Sequence, residues 1–168
     1  MGKRSDFERI PKDVYLTTDQ RATAPLLKFF GGKVEYYEPC YGKGDLVNLL
    51  LPHVCVGYSD EEMDARTTQY KTTAKCFITN PPWSRKLLHP IINNLRNQIP
   101  TWLLFDAAWM FTAQSAPYMK YCRVVIPVGR LRWIPDTNMD GKDDCAWYLF
   151  DKHETSCTFI PRQERINQ

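Results

Sequence analysis

The 168 residues weigh 19.7 kDa, 43% of them apolar and 24% charged, with a net charge of +3. At roughly 150 residues per domain the length fits one domain, and a chain of that size buries about 70% of its unfolded surface, so folding requires neither disulfides nor a metal. The composition excludes a disordered chain, and no apolar run reaches about 18 residues, which excludes a membrane-spanning helix.

The first residues, Met1-Gly2-Lys3-Arg4-Ser5-Asp6, carry charges and no apolar stretch, so they read as no secretory signal. Asp6 stands where a myristoylation signal has Ser or Thr. From there the chain alternates. Thr18 to Phe30 is expected to be helical, stopped by Gly31-Gly32. Val34 to Tyr37 reads as a strand, Gly44 to Leu51 as a helix closed by Pro52, and Val54 to Tyr58 as a second strand. Cys76 to Thr79 is a third strand, Leu87 to Asn97 a helix, and Trp102 to Phe105 a buried strand. Val124 to Val128 and Trp147 to Phe150 complete the set. Short apolar runs alternating with helical stretches predict an α/β, doubly wound, mostly parallel sheet. Ligands of such sheets bind beyond the carboxyl ends of the strands.

Charge is unevenly placed. Between Ala65 and Pro135 there are ten bases and one acid, Asp106, so that segment carries +9 and the remainder −6. A basic surface facing a polyanion is one reading, and a solvated face with no partner is the other. Cys40, Cys55, Cys76, Cys122, Cys145 and Cys157 show no C-x-x-C spacing, so no metal site is expected and reduced thiols in a cytoplasmic protein are. His53, His89 and His153 fit no triad spacing.

Two stretches carry chemistry. Glu38-Pro39-Cys40-Tyr41-Gly42-Lys43-Gly44-Asp45 lies between a strand and a helix, and its glycines permit a tight turn and close approach of a ligand. No G-K-S or G-K-T follows, so it is not a P-loop. Asn80-Pro81-Pro82-Trp83 also follows a strand. Its prolines fix the backbone and remove two N–H donors. What remains is a rigid rim of acceptors, the Asn80 side-chain oxygen and the Pro81 carbonyl, beside an aromatic plane. Such a rim suits a planar group bearing an amino group.

In this order and 36 residues apart, the two motifs resemble those of class I S-adenosylmethionine-dependent methyltransferases of the amino-group type. Within them the chain is most similar to small phage-encoded DNA adenine-N(6) methyltransferases. Asp13-Val14-Tyr15-Leu16-Thr17-Thr18 resembles the family's N-terminal D-x-Y-x-T-P segment, with Thr18 replacing Pro. Gly129-Arg130-Leu131-Arg132-Trp133 and Cys145 to Phe150 resemble its closing hairpin. The similarity runs from about Asp13 to Asp151. It implies a single Rossmann-like domain over residues 1–168, a three-layer sheet with an antiparallel hairpin, and a cytoplasmic enzyme of the bacterial host.

The resemblance also implies residue roles. Tyr15, Thr17 and the stretch containing Glu38, Pro39, Cys40, Gly42 and Gly44 would hold the methionine part of S-adenosylmethionine. Asp60 stands one residue later than the acid that holds the ribose hydroxyls. Asp64 is the candidate for the adenine amino group, with Glu61 and Glu62 as competing acids. Asn80, Pro81, Pro82 and Trp83 would form the catalytic rim, Trp83 stacking on a base flipped out of the helix. Only 85 residues follow Trp83, and Pro135 to Asp144 is the one sizeable insertion, so no separate target-recognition domain is expected. Arg85, Lys86, Arg130 and Arg132 are then the expected DNA contacts. RNA or a protein glutamine as the methyl acceptor, and a non-catalytic phage protein retaining the fold, are the alternatives.

Overall fold

The computed structural model describes residues 16–60 and 62–162. Tyr15 and Glu61 lie outside them. Strands β1 (Glu35–Glu38), β2 (Val54–Tyr58), β3 (Cys76–Thr79), β4 (Thr101–Asp106), β5 (Cys122–Arg130), β6 (Asp144–Phe150) and β7 (Thr158–Phe159) form one sheet in the order β2-β1-β3-β4-β6-β5-β7. β1 runs parallel to β2 and β3, and β3 parallel to β4. β6 is antiparallel to both β4 and β5, and β7 is parallel to β5. Helices α1 (Ala24–Phe30), α2 (Asp45–Leu49), α3 (Arg85–Arg96) and α4 (Ala116–Met119) accompany the sheet. The fold is the doubly wound, mostly parallel α/β sheet with an antiparallel hairpin that the sequence predicts.

Alternation along the strands divides the core into two layers. Cys76, Ile78, Trp102 and Leu104 pack with Leu26 of α1 and Leu46 of α2 on one face. Phe77, Leu103 and Phe105 pack with Leu88, Ile91, Ile92 and Leu95 of α3 on the other. Those four α3 positions follow the i, i+3, i+4, i+7 spacing of one helical stripe. β3 is buried along its whole length, as is β4 up to its last residue, as expected of strands covered on both faces.

Local chemistry explains where element boundaries depart from expectation. The single helix expected over Thr18 to Phe30 is a 3-10 turn, Gln20–Ala22, followed by α1. The Asp19 carboxylate accepts from the Arg21 N–H at 3.0 Å and caps the turn, and Pro25 sits in the first turn of α1, where its missing N–H costs nothing. Gly31, at φ 61°, ends α1 as expected. α3 starts at Arg85, two residues before the expected Leu87, and tolerates Pro90 on its exposed face. Two further 3-10 turns, Ala107–Phe111 and Ala113–Ser115, with α4 and β7, have no strong sequence pattern.

Strand direction fixes which ends meet. β5 is antiparallel to β6, and β6 to β4, so β5 ends on the same sheet edge as β1, β3 and β4. Arg130, the last residue of β5, therefore stands on the carboxyl edge. The crossovers leave β1 toward β2 on one side and β3 toward β4 on the other, which opens a crevice between the ends of β1 and β3. No helix among the described residues is long and apolar enough to cross a membrane.

Candidate active site

The loop after β1 is tied to the end of β2. Tyr41 N–H donates to the Ser59 carbonyl and Ser59 N–H to the Glu38 carbonyl, each at 3.0 Å. The Ser59 hydroxyl donates to the Pro39 carbonyl at 3.0 Å. Gly44 has φ 82°, and a Cβ there would collide with the Tyr41 ring, which itself stacks on Tyr58 at 4.0 Å. Gly42 has φ 56°, and a Cβ there would meet nothing within 4 Å. One glycine serves packing and the other leaves space.

That space belongs to a cavity of about 390 Å³ at the crevice, within the range of small-molecule sites. Of the predicted cofactor residues, Thr17, Glu38, Pro39, Cys40, Gly42, Asp60 and Asp64 line it, as do Asn80 and Pro82 of the second motif. Gly44, Pro81 and Trp83 do not line it. The structure thus joins the end of β1 and its following loop, the segment after β2 and the turn after β3 in one concave site.

The cavity is acidic. Glu38, Asp45, Asp60 and Asp64 face two cations, Lys43 and Arg66. Arg66 is already bound to Asp64, with Nη2 at 2.7 Å and Nε at 2.9 Å, and this pairing holds the Asp64 carboxyl below its ordinary range. Asp60 is exposed and accepts the Glu62 N–H at 3.1 Å. Glu38 is only 1% exposed. Burial pushes its carboxyl up to about 8, against the Cys40 N–H that donates to Oε1 at 3.0 Å and the neighbouring Thr79 hydroxyl. Burial and the Glu38 charge push the Cys40 thiol up to about 12.

The sequence placed Asp45 at the end of the glycine motif but assigned it no role. Asp45 lines the cavity, and its Oδ2 is buried with no hydrogen-bond partner among the described residues. A buried carboxylate oxygen left in this state is costly unless a ligand donor reaches it.

The Asn80 side chain lies between two partners. Nδ2 donates to the Thr17 hydroxyl at 3.0 Å, and Oδ1 accepts from the Trp83 indole Nε1 at 3.0 Å. Trp83 meets Trp133 edge to face, with centroids 5.4 Å apart and an interplanar angle of 89°. Thr17, expected to hold the cofactor, is therefore also a partner of Asn80.

His53 and His89 are engaged by neighbouring N–H groups. His53 Nδ1 accepts the Val34 N–H at 2.9 Å, and His89 Nε2 accepts the Trp109 indole N–H at 3.1 Å. Burial lowers both pKa values. All six cysteines are free thiols, and no cluster able to hold a metal occurs among the described residues.

Pairing thins the basic segment. Arg66, Arg85, Lys120 and Arg123 meet Asp64, Asp106, Glu154 and Asp151, and Arg96 is buried with its guanidinium 3.6 Å above the Tyr121 ring. Of the four bases expected to meet DNA, Arg85 is thus held by Asp106 at 3.2 Å. Lys86, Arg130 and Arg132 are exposed and make no ion pair among the described residues.

No protein-family model matches the chain, and no curated protein matches it. Among solved structures, a dimethyladenosine transferase from Plasmodium falciparum is similar at 17% identity and a TM-score of 0.47, over 76% of this chain. The chain spans 60% of the length of that one.

Glu38 gives the site a pH signature. Its folded-state carboxyl lies at about 8 against 4.5 for an ordinary glutamate, so the folded protein keeps a proton that the unfolded chain releases. That stabilisation is complete below about 4.5 and is lost as pH rises toward 8. The variant Glu38→Gln, equal in size and uncharged, should melt near the parent temperature at pH 4.5 and increasingly above it up to pH 8. Parallel melting curves across that range would show Glu38 to be ionised in the folded protein.

Proposed function

We propose that this chain transfers a methyl group from S-adenosylmethionine to the exocyclic amino group of adenine in DNA. One observation carries the reading. The Asn80-Pro81-Pro82-Trp83 turn lends Asn80 and Pro82 to the wall of an acidic cavity, while Lys86, Arg130 and Arg132, exposed and without an ion pair among the described residues, stand on the same edge of the sheet. An acidic cavity suits a cationic cofactor, and a basic edge suits a polyanionic acceptor.

The residues present fit the cofactor. Asp45 offers an orphaned carboxylate oxygen and Glu38 a buried carboxyl, both suited to an ammonium donor. Asp60 can accept from ribose hydroxyls, and the open Cβ position of Gly42 leaves room beside the backbone. When bound, the cofactor supplies an electrophilic methyl group on a sulfonium, which is left as a neutral thioether.

The protein's work is then positional. An exocyclic amino nitrogen is a weak nucleophile because its lone pair is delocalised into the ring. Asn80 Oδ1 and the Pro81 carbonyl can accept its two hydrogens, favouring a pyramidal nitrogen with its lone pair directed at the methyl carbon. The nitrogen gains the methyl group and releases one proton to solvent. Trp83 supplies a stacking face for a base out of the helix.

Lys86 stands in the first turn of α3, where the helix dipole is already positive and no acid occupies the turn, while Arg85 beside it is held by Asp106. A cation placed as Lys86 is costs about 0.3–1 kcal/mol. A phosphate arriving there removes the conflict. Arg130 and Arg132 extend the same edge.

Asn80→Ala should keep cofactor affinity by calorimetry and lose about 100-fold or more in tritiated methyl transfer to DNA. Near-parental turnover would remove Asn80 from the chemistry. Gly42→Val should abolish cofactor binding, since a branched side chain at φ 56° is strained and fills the open position. Retained binding in a folded Gly42→Val protein would place the methionine moiety elsewhere.

Replacing Lys86, Arg130 and Arg132 by Gln should flatten the salt dependence of duplex binding by about 0.9 in log–log slope for each phosphate that the variant no longer neutralises. An unchanged slope would move the acceptor to a protein amide. Methyl transfer to RNA with none to DNA would fix the other nucleic acid as the substrate.

A further inference from the structure

The Asn80 amide is wedged between Thr17 and Trp83, and the two bonds are not interchangeable. An indole N–H donates and never accepts, so the atom 3.0 Å from Trp83 Nε1 must be the amide oxygen. The amide nitrogen is then directed at the Thr17 hydroxyl, also at 3.0 Å. Turning the amide over would set two donors against each other at Trp83. A tyrosine or phenylalanine ring has no in-plane N–H and could not impose this choice. An amide oxygen has two acceptor sites, and the indole takes one of them.

Trp83 is itself braced. Trp133 abuts it perpendicularly at 5.4 Å. Behind Trp133 stands Gly141, where a Cβ would come within 2.8 Å of Trp133 Cδ1, and its N–H donates to the Leu131 carbonyl at 2.7 Å. The loop carrying Trp133 is fastened by charge. Arg21 bridges Asp19 and Asp140 at 2.6 Å each, and Asp19 Oδ2 also accepts the Arg132 N–H at 2.8 Å.

Building on the methyl-transfer reading, we infer that Trp133 is a positioning residue, which holds the Trp83 indole N–H on Asn80 Oδ1 so that the oxygen of the amide, and not its NH2, meets the acceptor's amino group. The β5–β6 loop is thereby part of the centre through the contact of Trp133 with Trp83. The role differs from stacking: it acts on the orientation of Asn80.

The test compares Trp133→Leu and Trp133→Phe with the parent in two measurements. The first is the hydrogen-exchange rate of the Trp83 indole N–H in protein labelled with ¹⁵N-tryptophan, its resonance assigned with Trp83→Phe. The second is methyl transfer to polynucleotide, resolved into kcat and KM for S-adenosylmethionine. Trp133→Leu should speed exchange of that one indole at least about tenfold and lower kcat by about tenfold with KM unchanged, and Trp133→Phe should restore much of both. Unchanged exchange in a folded Trp133→Leu protein overturns the inference.

Asp140→Asn provides a second variant. It loosens the loop through an ion pair whose loss costs little stability, and it should speed the same exchange. If Trp133→Leu does not fold, unchanged exchange in Asp140→Asn overturns the inference in its place. If the parent methylates no polynucleotide, the methyl-transfer reading fails while the exchange measurement still decides what Trp133 does to Trp83 and Asn80.

Discussion

β1 and β3 lie side by side although the chain visits β2 between them, and their crossovers depart toward opposite ends of the sheet. The cavity lies at the carboxyl ends where these crossovers part. Register brings Tyr37 of β1 opposite Phe77 of β3, so the chain beyond each strand enters the same crevice, one carrying Glu38 and the other Asn80. Everything at the site follows from this reversal. It places a glycine-bearing loop and a proline-rigid turn face to face, and it puts the acidic cavity under an edge that also receives the end of β5.

Two opposite electrostatic demands meet on that edge within a net charge of only +3. Inside, carboxyls outnumber cations, and one of the two cations is neutralised by Asp64. Outside, Lys86, Arg130 and Arg132 face water. The two demands are met at different depths. Glu38 is buried and keeps its proton up to about 8, whereas the exposed cations act through a screening solvent over about a Debye length.

Strands and faces were legible in the sequence because burial on both sides demands runs such as Cys76 to Thr79 and Trp102 to Phe105. The glycine turn and the Asn-Pro-Pro-Trp turn were legible because their residue types are uncommon and follow strands. Charge was less so. Counting bases along the chain could not reveal that Arg123 meets Asp151, 28 residues later, or that Arg96 is buried with its guanidinium over a tyrosine ring. Asp45 closed the glycine motif as an ordinary acid opening a helix, and only the fold shows that one of its oxygens is buried without a partner among the described residues. Trp133 sits 50 residues beyond Trp83 in a loop with no periodicity, so its meeting with Trp83 depends wholly on tertiary structure.

Cys40 shares the wall of the cavity with Glu38. Sulfur reacts with electrophilic carbon as thiolate, and a thiol at about 12 is almost entirely protonated at neutral pH. A soft nucleophile thus lines the compartment in which a reactive methyl donor would reside, yet burial and a neighbouring carboxyl hold it inert. With such a donor bound, the protonated thiol would be a poor target for methylation, and the same burial that raises Glu38 keeps the thiol protonated. A variant that opened this wall to water would gain a reactive cysteine along with a wider site.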